Sequence, residues 1–173
     1  RPVAHAMLYP LLEWLASLGV AAQTITFLIA TGTHTPMRRD EFPLVLPHDI
    51  LLHYRVFSHD CDNTDNLVYQ GRTTRGTPVW TNRIFAEADL RIVVGNLEPH
   101  QFMGFTGGAK GAAIGLAGRE TITTNHAMLT SPAAQPGVYD GNPLRQDVEG
   151  IGRLMGIHLA LNAILNRRKE IVH

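Results

Sequence analysis

Two short apolar runs, each feeding straight into a polar loop that carries glycine, do most to set the architecture of this chain. Thr24–Ala30 reads T-I-T-F-L-I-A and opens into T-G-T-H-T-P; Leu90–Val94 reads L-R-I-V-V and opens into G-N-L-E-P-H. Runs of this length, rich in β-branched and aliphatic residues, predict buried strands. Helical patterns alternate with such strands along most of the chain. Ala4–Leu18 has apolar residues at Met7, Leu11, Leu12, Leu15 and Leu18, and stops at Gly19. Asn142 is placed to cap a helix over Pro143–Met155, with proline at its first position and Gly156 just past its end. The alternation predicts an α/β fold: a largely parallel sheet with helices on both faces, a Rossmann-like three-layer sandwich. In such sheets ligands collect at the carboxyl ends of the strands, where both polar loops lie.

The weaker segments give further expectations. Arg38–Phe42 and Asn82–Ala88 read as helices, Gly115–Met128 as a segment containing a helix with His126 near its end, and Leu51–Phe57 as a second strand. Leu67–Tyr69 and Val79–Thr81 read as short extended pieces. Leu159–Leu165 and Glu170–Val172 read as a hairpin through N-R-R-K.

Composition narrows the function classes. The 173 residues suffice for one domain with a real core, and no repeat or linker divides them. Formal net charge is zero, which argues against a nucleic-acid or anionic-membrane partner. No uninterrupted apolar run has membrane-spanning length. The single cysteine, Cys61, excludes an internal disulfide and fits a reducing compartment, so a cytoplasmic location is expected. The opening R-P and the closing I-V-H read as an excerpt of a longer polypeptide.

The chemistry concentrates in Glu98–His126. There G-F-T-G-G-A-K-G (Gly104–Gly111) joins a glycine loop to Lys110, and His100 and His126 bracket that lysine. The loop departs twice from the nucleotide-binding G-x-x-x-x-G-K-[ST] pattern, at Ala109 and at Gly111, so a kinase or ATPase reading is poor. Its physical logic remains. Gly107 and Gly108 let backbone N–H groups approach an anion, and Lys110 can serve as a point charge or a nucleophilic amine. A plain turn with a solvated lysine is the structural alternative. Of the nine histidines, His5, His53, His158 and His173 fall in presumed helices or strands and read as structural or surface residues. His48 and His59 precede aspartates and read as local caps or turns. His34, in G-T-H at a strand end, His100 and His126 are the candidates for acid, base or ligand roles. Their spacing is not that of a zinc site, so any metal must draw most of its ligands from elsewhere.

Three segments in this order, I-A-T-G-T-H (Ile29–His34), E-P-H-Q-F-M-G-F-T-G-G-A-K (Glu98–Lys110) and T-I-T-T-N-H (Thr121–His126), resemble the nickel-dependent lactate racemase family over nearly the whole chain. The resemblance implies that residues 1–173 form the core of that family's N-terminal cofactor-binding domain, with the family's C-terminal domain absent. It implies an isomerase that racemises or epimerises a 2-hydroxy acid, lactate or a relative. The reaction would proceed by hydride abstraction and return through a nickel-pincer nucleotide. Lys110 would hold that nucleotide covalently and His126 would complete the nickel coordination. His34 and His100 would be the paired acid/base histidines, and Arg1, by position, the substrate-carboxylate ligand. Proteins that mature the cofactor would be partners. Two positions depart from the family pattern: Thr35, where a basic residue is expected, and Ile114, where proline is common. The fragment alone is expected to be inactive. The runner-up reading is a phosphate- or nucleotide-binding module without racemase chemistry.

Overall fold

A computed structural model describes residues 4–168 and 170–172. Helix α1 (Ala4–Ser17) leads to strand β1 (Thr26–Ile29), followed by α2 (His48–His53) and β2 (Arg55–Ser58). Next come β3 (Leu67–Arg72), β4 (Pro78–Asn82), the single-turn α3 (Arg83–Ala86) and β5 (Ile92–Leu97). Two tiny strands, β6 (Pro99–His100) and β7 (Gly104–Phe105), precede α4 (Lys110–Ala113), α5 (Arg119–His126), α6 (Pro143–Leu154) and β8 (Leu159–Ile164).

The fold is mixed α/β with parallel strands and flanking helices, as expected. β1 runs parallel to β2, from Thr26 opposite Arg55 to Ile29 opposite Ser58. β5 runs parallel to β8, from Ile92 opposite Leu159 to Leu97 opposite Ile164. The β3–β4 and β6–β7 pairs are antiparallel. Among the described residues the backbone pairing forms four two-stranded ladders rather than one unbroken sheet. Helices flank β5: α1 packs on β5 and β8, while α4 packs on β5 and α6.

Helix α6 shows how sequence sets packing. Leu144, Val148, Ile151 and Met155 recur at helical spacing and are buried in one cluster with Met103, Ala112 and Ala113. Burying each large side chain stabilises the fold by about 1.5–3 kcal/mol, and Leu144→Ala would cost about 2–5 kcal/mol. The start of the helix is as predicted. The Asn142 carboxamide oxygen accepts from the N–H groups of Leu144 and Arg145, at 3.1 and 3.3 Å.

One expectation is corrected, one is borne out with tighter bounds, and one is refined. Leu51–Phe57 is not a continuous strand, because α2 occupies its first half and only Arg55–Ser58 is extended. Pro47 precedes α2 and Asp49 sits in its first turn, a helix-start arrangement that outweighs the short apolar run. The helix expected within Gly115–Met128 is present as α5, from Arg119 to His126, with His126 at its end as expected. Leu159–Ile164 takes β5 as its main partner, and the expected hairpin closes through the Leu165–Ile171 bridge with backbone bonds from Asn166 N–H to the Glu170 carbonyl and from Val172 N–H to the Ile164 carbonyl, both 2.9 Å.

Candidate functional site

The polypeptide after β5 folds back on itself. Thr106 Oγ1 donates to the Asn96 carbonyl at 2.8 Å and accepts from the Glu98 N–H at 2.8 Å, closing the β6–β7 loop against the end of β5. Gly107 and Gly108 then turn with φ of 70° and 55°. A Cβ on Gly107 would come within 2.8 Å of Asn162 Oδ1 and 3.0 Å of the Asn96 carbonyl, so a side chain has no room there. The Gly108 N–H donates to Asn162 Oδ1 at 3.0 Å. These turns deliver Lys110 to the first residue of α4.

His100 sits on β6 with its ring edge-on to Phe102, centroids 4.6 Å apart. Phe102 meets the His126 ring in the same manner at 5.3 Å. One phenyl ring therefore spaces the two histidines. His100 Nδ1 faces the backbone N–H groups of Phe102 and Met103, at 3.5 and 3.3 Å, which leaves Nε2 for an outside partner. His126 Nδ1 is buried and has no hydrogen-bond partner of ordinary geometry.

The electrostatics of the three groups are linked. Burial lowers the pKa of Lys110, and the Arg145 guanidinium lowers it further. No carboxylate or acceptor pairs with Lys110 among the described residues. Burial likewise lowers His100, with contributions from Lys110 and His126. Burial also lowers His126, with Lys110 adding to the effect, while the Ile122 backbone one turn earlier opposes it. All three are thus pushed toward their neutral, lone-pair-bearing forms.

Helix α5 holds His126 in place, although its R-E-T-I-T-T-N-H sequence has poor helix propensity. Tertiary bonds compensate. Arg119 forms a two-pronged ion pair with Asp62, at 2.5 and 2.7 Å. Thr121 Oγ1 accepts from the Trp80 N–H at 2.9 Å, and Trp80 Nε1 donates to Glu120 at 2.9 Å. At the far end Asn125 Nδ2 donates to the Leu144 carbonyl and to Asp147 Oδ2, at 3.1 and 2.9 Å.

His100, Lys110 and His126 therefore form one site. His34 stands apart. It is exposed on the loop after β1, which docks on the end of α4 through Gly32 N–H to the Gly115 carbonyl, 3.0 Å. No hydrogen bond or ring contact joins His34 to the other three. Arg1 lies outside the described residues. His59 is a core residue rather than a local cap: Nε2 lies 2.9 Å from the Ala117 carbonyl and Nδ1 3.1 Å from Asn82 Nδ2.

Sequence reading missed Arg145. It is 5% exposed, donates to the Phe105 carbonyl at 3.0 Å and pairs with Glu149 at 2.6 Å. Its guanidinium also lies over the Tyr139 ring, and a Cβ on Gly108 would come within 3.0 Å of it. A cleft of about 560 Å³ opens beside it, lined by Arg75, Tyr139, Gln146, Glu149 and Arg153 among others. The available signal was that Arg145 and Asp147 flank the apolar positions of α6.

Among the described residues the only three His, Cys, Asp or Glu side chains whose ligand atoms lie within 4.8 Å of one another are Asp60, Cys61 and Asp62. A metal at His126 would thus need most of its donors from a non-protein group. No described helix is long and apolar enough to cross a membrane.

Comparison with known proteins fits this geometry. A family model, the lactate racemase N-terminal domain, matches residues 1–137. The chain is 32% identical to a lactate racemase of Lactiplantibacillus plantarum, over 99% of this chain and 41% of the relative. It is 29% identical to the lactate racemase of Thermoanaerobacterium thermosaccharolyticum, over 100% of this chain and 41% of the relative. The solved apoprotein of the latter superposes with a TM-score of 0.91, covering 100% of this chain and 42% of that one. A Thermotoga maritima structure matches with a TM-score of 0.76 at 22% identity, covering 99% of this chain and 45% of its own, a likeness of fold alone. The chain thus spans about two fifths of the length of the racemases it matches.

Proposed function

The chain belongs to the lactate racemase family through its N-terminal domain, and on that premise we propose that it is the cofactor-bearing part of a 2-hydroxy-acid racemase or epimerase. The observation that carries this reading is the meeting of Lys110, His100 and His126 as three nitrogen groups pushed toward neutrality and, among the described residues, without a carboxylate partner.

These residues fit a nickel-pincer nucleotide. A depressed, unpaired amine suits covalent attachment, so Lys110 would hold the nucleotide. His126 would offer one imidazole nitrogen to nickel, and the scarcity of other protein ligands matches a metal that arrives with its own donors. Gly107 and Gly108 keep side chains out of the turn that presents Lys110. When bound, this group supplies the acceptor and donor of the Cα hydride. The protein's task is the hydroxyl proton. His100 exchanges it through Nε2, and His34 serves the opposite substrate orientation from the loop after β1. Arg1 would pair with the substrate carboxylate through its planar fork. Because His34 is exposed, we propose that a further domain of the whole protein closes over it, excludes water and completes the substrate site. Proteins that build the cofactor would be its other partners. Against a simple phosphate-binding module, the Gly108 N–H is already donated to Asn162 and is not free for an anion.

The test uses full-length protein matured in a host that makes the cofactor. Intact and peptide mass should show added mass at Lys110, lost in Lys110→Ala, together with nickel-dependent racemisation. An active, nickel-dependent enzyme with unmodified Lys110 would overturn the tether. Activity independent of nickel would overturn the reading itself.

A further inference from the structure

We infer that Asp147 is the positioning residue for His126, acting through Asn125. The inference rests on the reading of His126 as the nickel ligand. Asp147 is 1% exposed and lies on α6, across from the last turn of α5. Its carboxylate accepts three hydrogen bonds: from Thr73 Oγ1 at 2.6 Å, Thr77 Oγ1 at 2.9 Å and Asn125 Nδ2 at 2.9 Å. A buried carboxylate is costly unless its oxygens are satisfied, and here three donors from two other elements converge on it. Thr73 and Thr77 belong to the β3–β4 connection, so one side chain ties that turn, α5 and α6 together.

The amide orientation of Asn125 follows. Its Nδ2 faces two acceptors, Asp147 and the Leu144 carbonyl. Its Oδ1 is buried without a partner. An unsatisfied oxygen is tolerated only because the opposite end of the amide is fixed twice over. Asn125 is the residue immediately before His126, at the point where α5 gives way to a 3-10 turn. Without Asp147, Asn125 keeps only its bond to the Leu144 carbonyl, so the turn that carries His126 loses one of its two side-chain anchors to α6, and His126 Nδ1 has no hydrogen bond of ordinary geometry to set the ring in its place. Groups that orient a metal-binding histidine typically change metal affinity by about 10–100-fold when removed.

The experiment follows nickel release from full-length, cofactor-loaded protein into excess chelator at 25 °C, well below unfolding, with thermal midpoints measured in parallel. Thr73→Val combined with Thr77→Val keeps side-chain volume and removes two donors; nickel release should accelerate about 10-fold or more. Thr73→Ser with Thr77→Ser restores the hydroxyls and should restore slow release. Asp147→Asn should accelerate release further, and mass at Lys110 should stay unchanged in all variants. Lower thermal midpoints with wild-type release rates would overturn the positioning role. His126→Ala is the control: if it also releases nickel at the wild-type rate, the ligand reading fails rather than the positioning argument alone.

Discussion

His59 and His126 both sit where burial lowers the imidazole pKa, yet their surroundings differ in kind. His59 is fully buried and both ring nitrogens are used. Asn82 Oδ1 accepts from the Ile84 N–H, so Asn82 Nδ2 must face His59 Nδ1, and His59 Nε2–H donates to the Ala117 carbonyl. That ring is neutral, of defined tautomer and saturated. His126 is half-buried, its Nδ1 has no hydrogen bond of ordinary geometry, and it stands beside His100 and Lys110, whose pKa values burial lowers. A satisfied buried histidine holds a core together; an unsatisfied one stores binding capacity that the rest of the fold supports.

The largest test of this contrast is stability. His59→Ala should cost the apoprotein about 3 kcal/mol, because it opens a cavity and orphans both the Ala117 carbonyl and the Asn82 amide. His126→Ala should cost less than about 1 kcal/mol. Urea unfolding of both variants decides the matter, and equal losses would erase the distinction.

A second test is acid. An unfolded histidine titrates near 6.5. In the folded protein His59, His100 and His126 all take up their protons at lower pH than that. Below about 6.5 the unfolded chain therefore binds more protons, and stability falls as pH falls through that window. The urea midpoint should drop between pH 7 and pH 5, and His126→Gln should reduce the drop. Histidine NMR should place the His100 and His126 midpoints below 6.5. A midpoint above 6.5 for either would mean a carboxylate or acceptor faces the site.

The smallest effect has the opposite sign. Lys110 is a partly buried amine with no acceptor among the described residues, depressed by burial and by Arg145. Lys110→Met should raise apoprotein stability by about 1 kcal/mol, or ~2–4 °C in Tm for a chain of this size. Unchanged or lower Tm would show that the amine is better solvated than its surroundings imply.

The same contrast explains what could be read from sequence. Lys110, His100 and His126 stood out because their chemistry is written within one segment, between glycines and beside a stiffening proline. The Asn142 cap was legible for the same local reason. His59 was misread because its partners, Asn82 and Ala117, are distant in sequence, so an adjacent Asp60 looked more important than it is. Arg145 and Asp147 were missed because α6 gives them their roles only by docking on the glycine loop and on α5. Asp147 had left a trace, a charge beside Leu144 and Val148 on an apolar helix face. Leu51–Phe57 failed because a short apolar run does not distinguish helix from strand: Leu51–His53 close α2 and Arg55–Phe57 open β2.

The parallel pairing of β5 with β8 has a consequence in time. His100, Lys110, His126, Arg145 and Asp147 all lie inside the single crossover that joins those strands. During synthesis β5 is finished and waits several seconds, while roughly 60 further residues are added, before its partner exists. His100, Lys110 and His126 are themselves made during that interval, before β8 can close the crossover that carries them. Closure by β8 is then a late, non-local event that should limit the rate of refolding. Pulse-labelled hydrogen exchange should find α5 amides protected together with those of β8, so the ability to receive a cofactor would date from the moment residues 159–164 join the sheet.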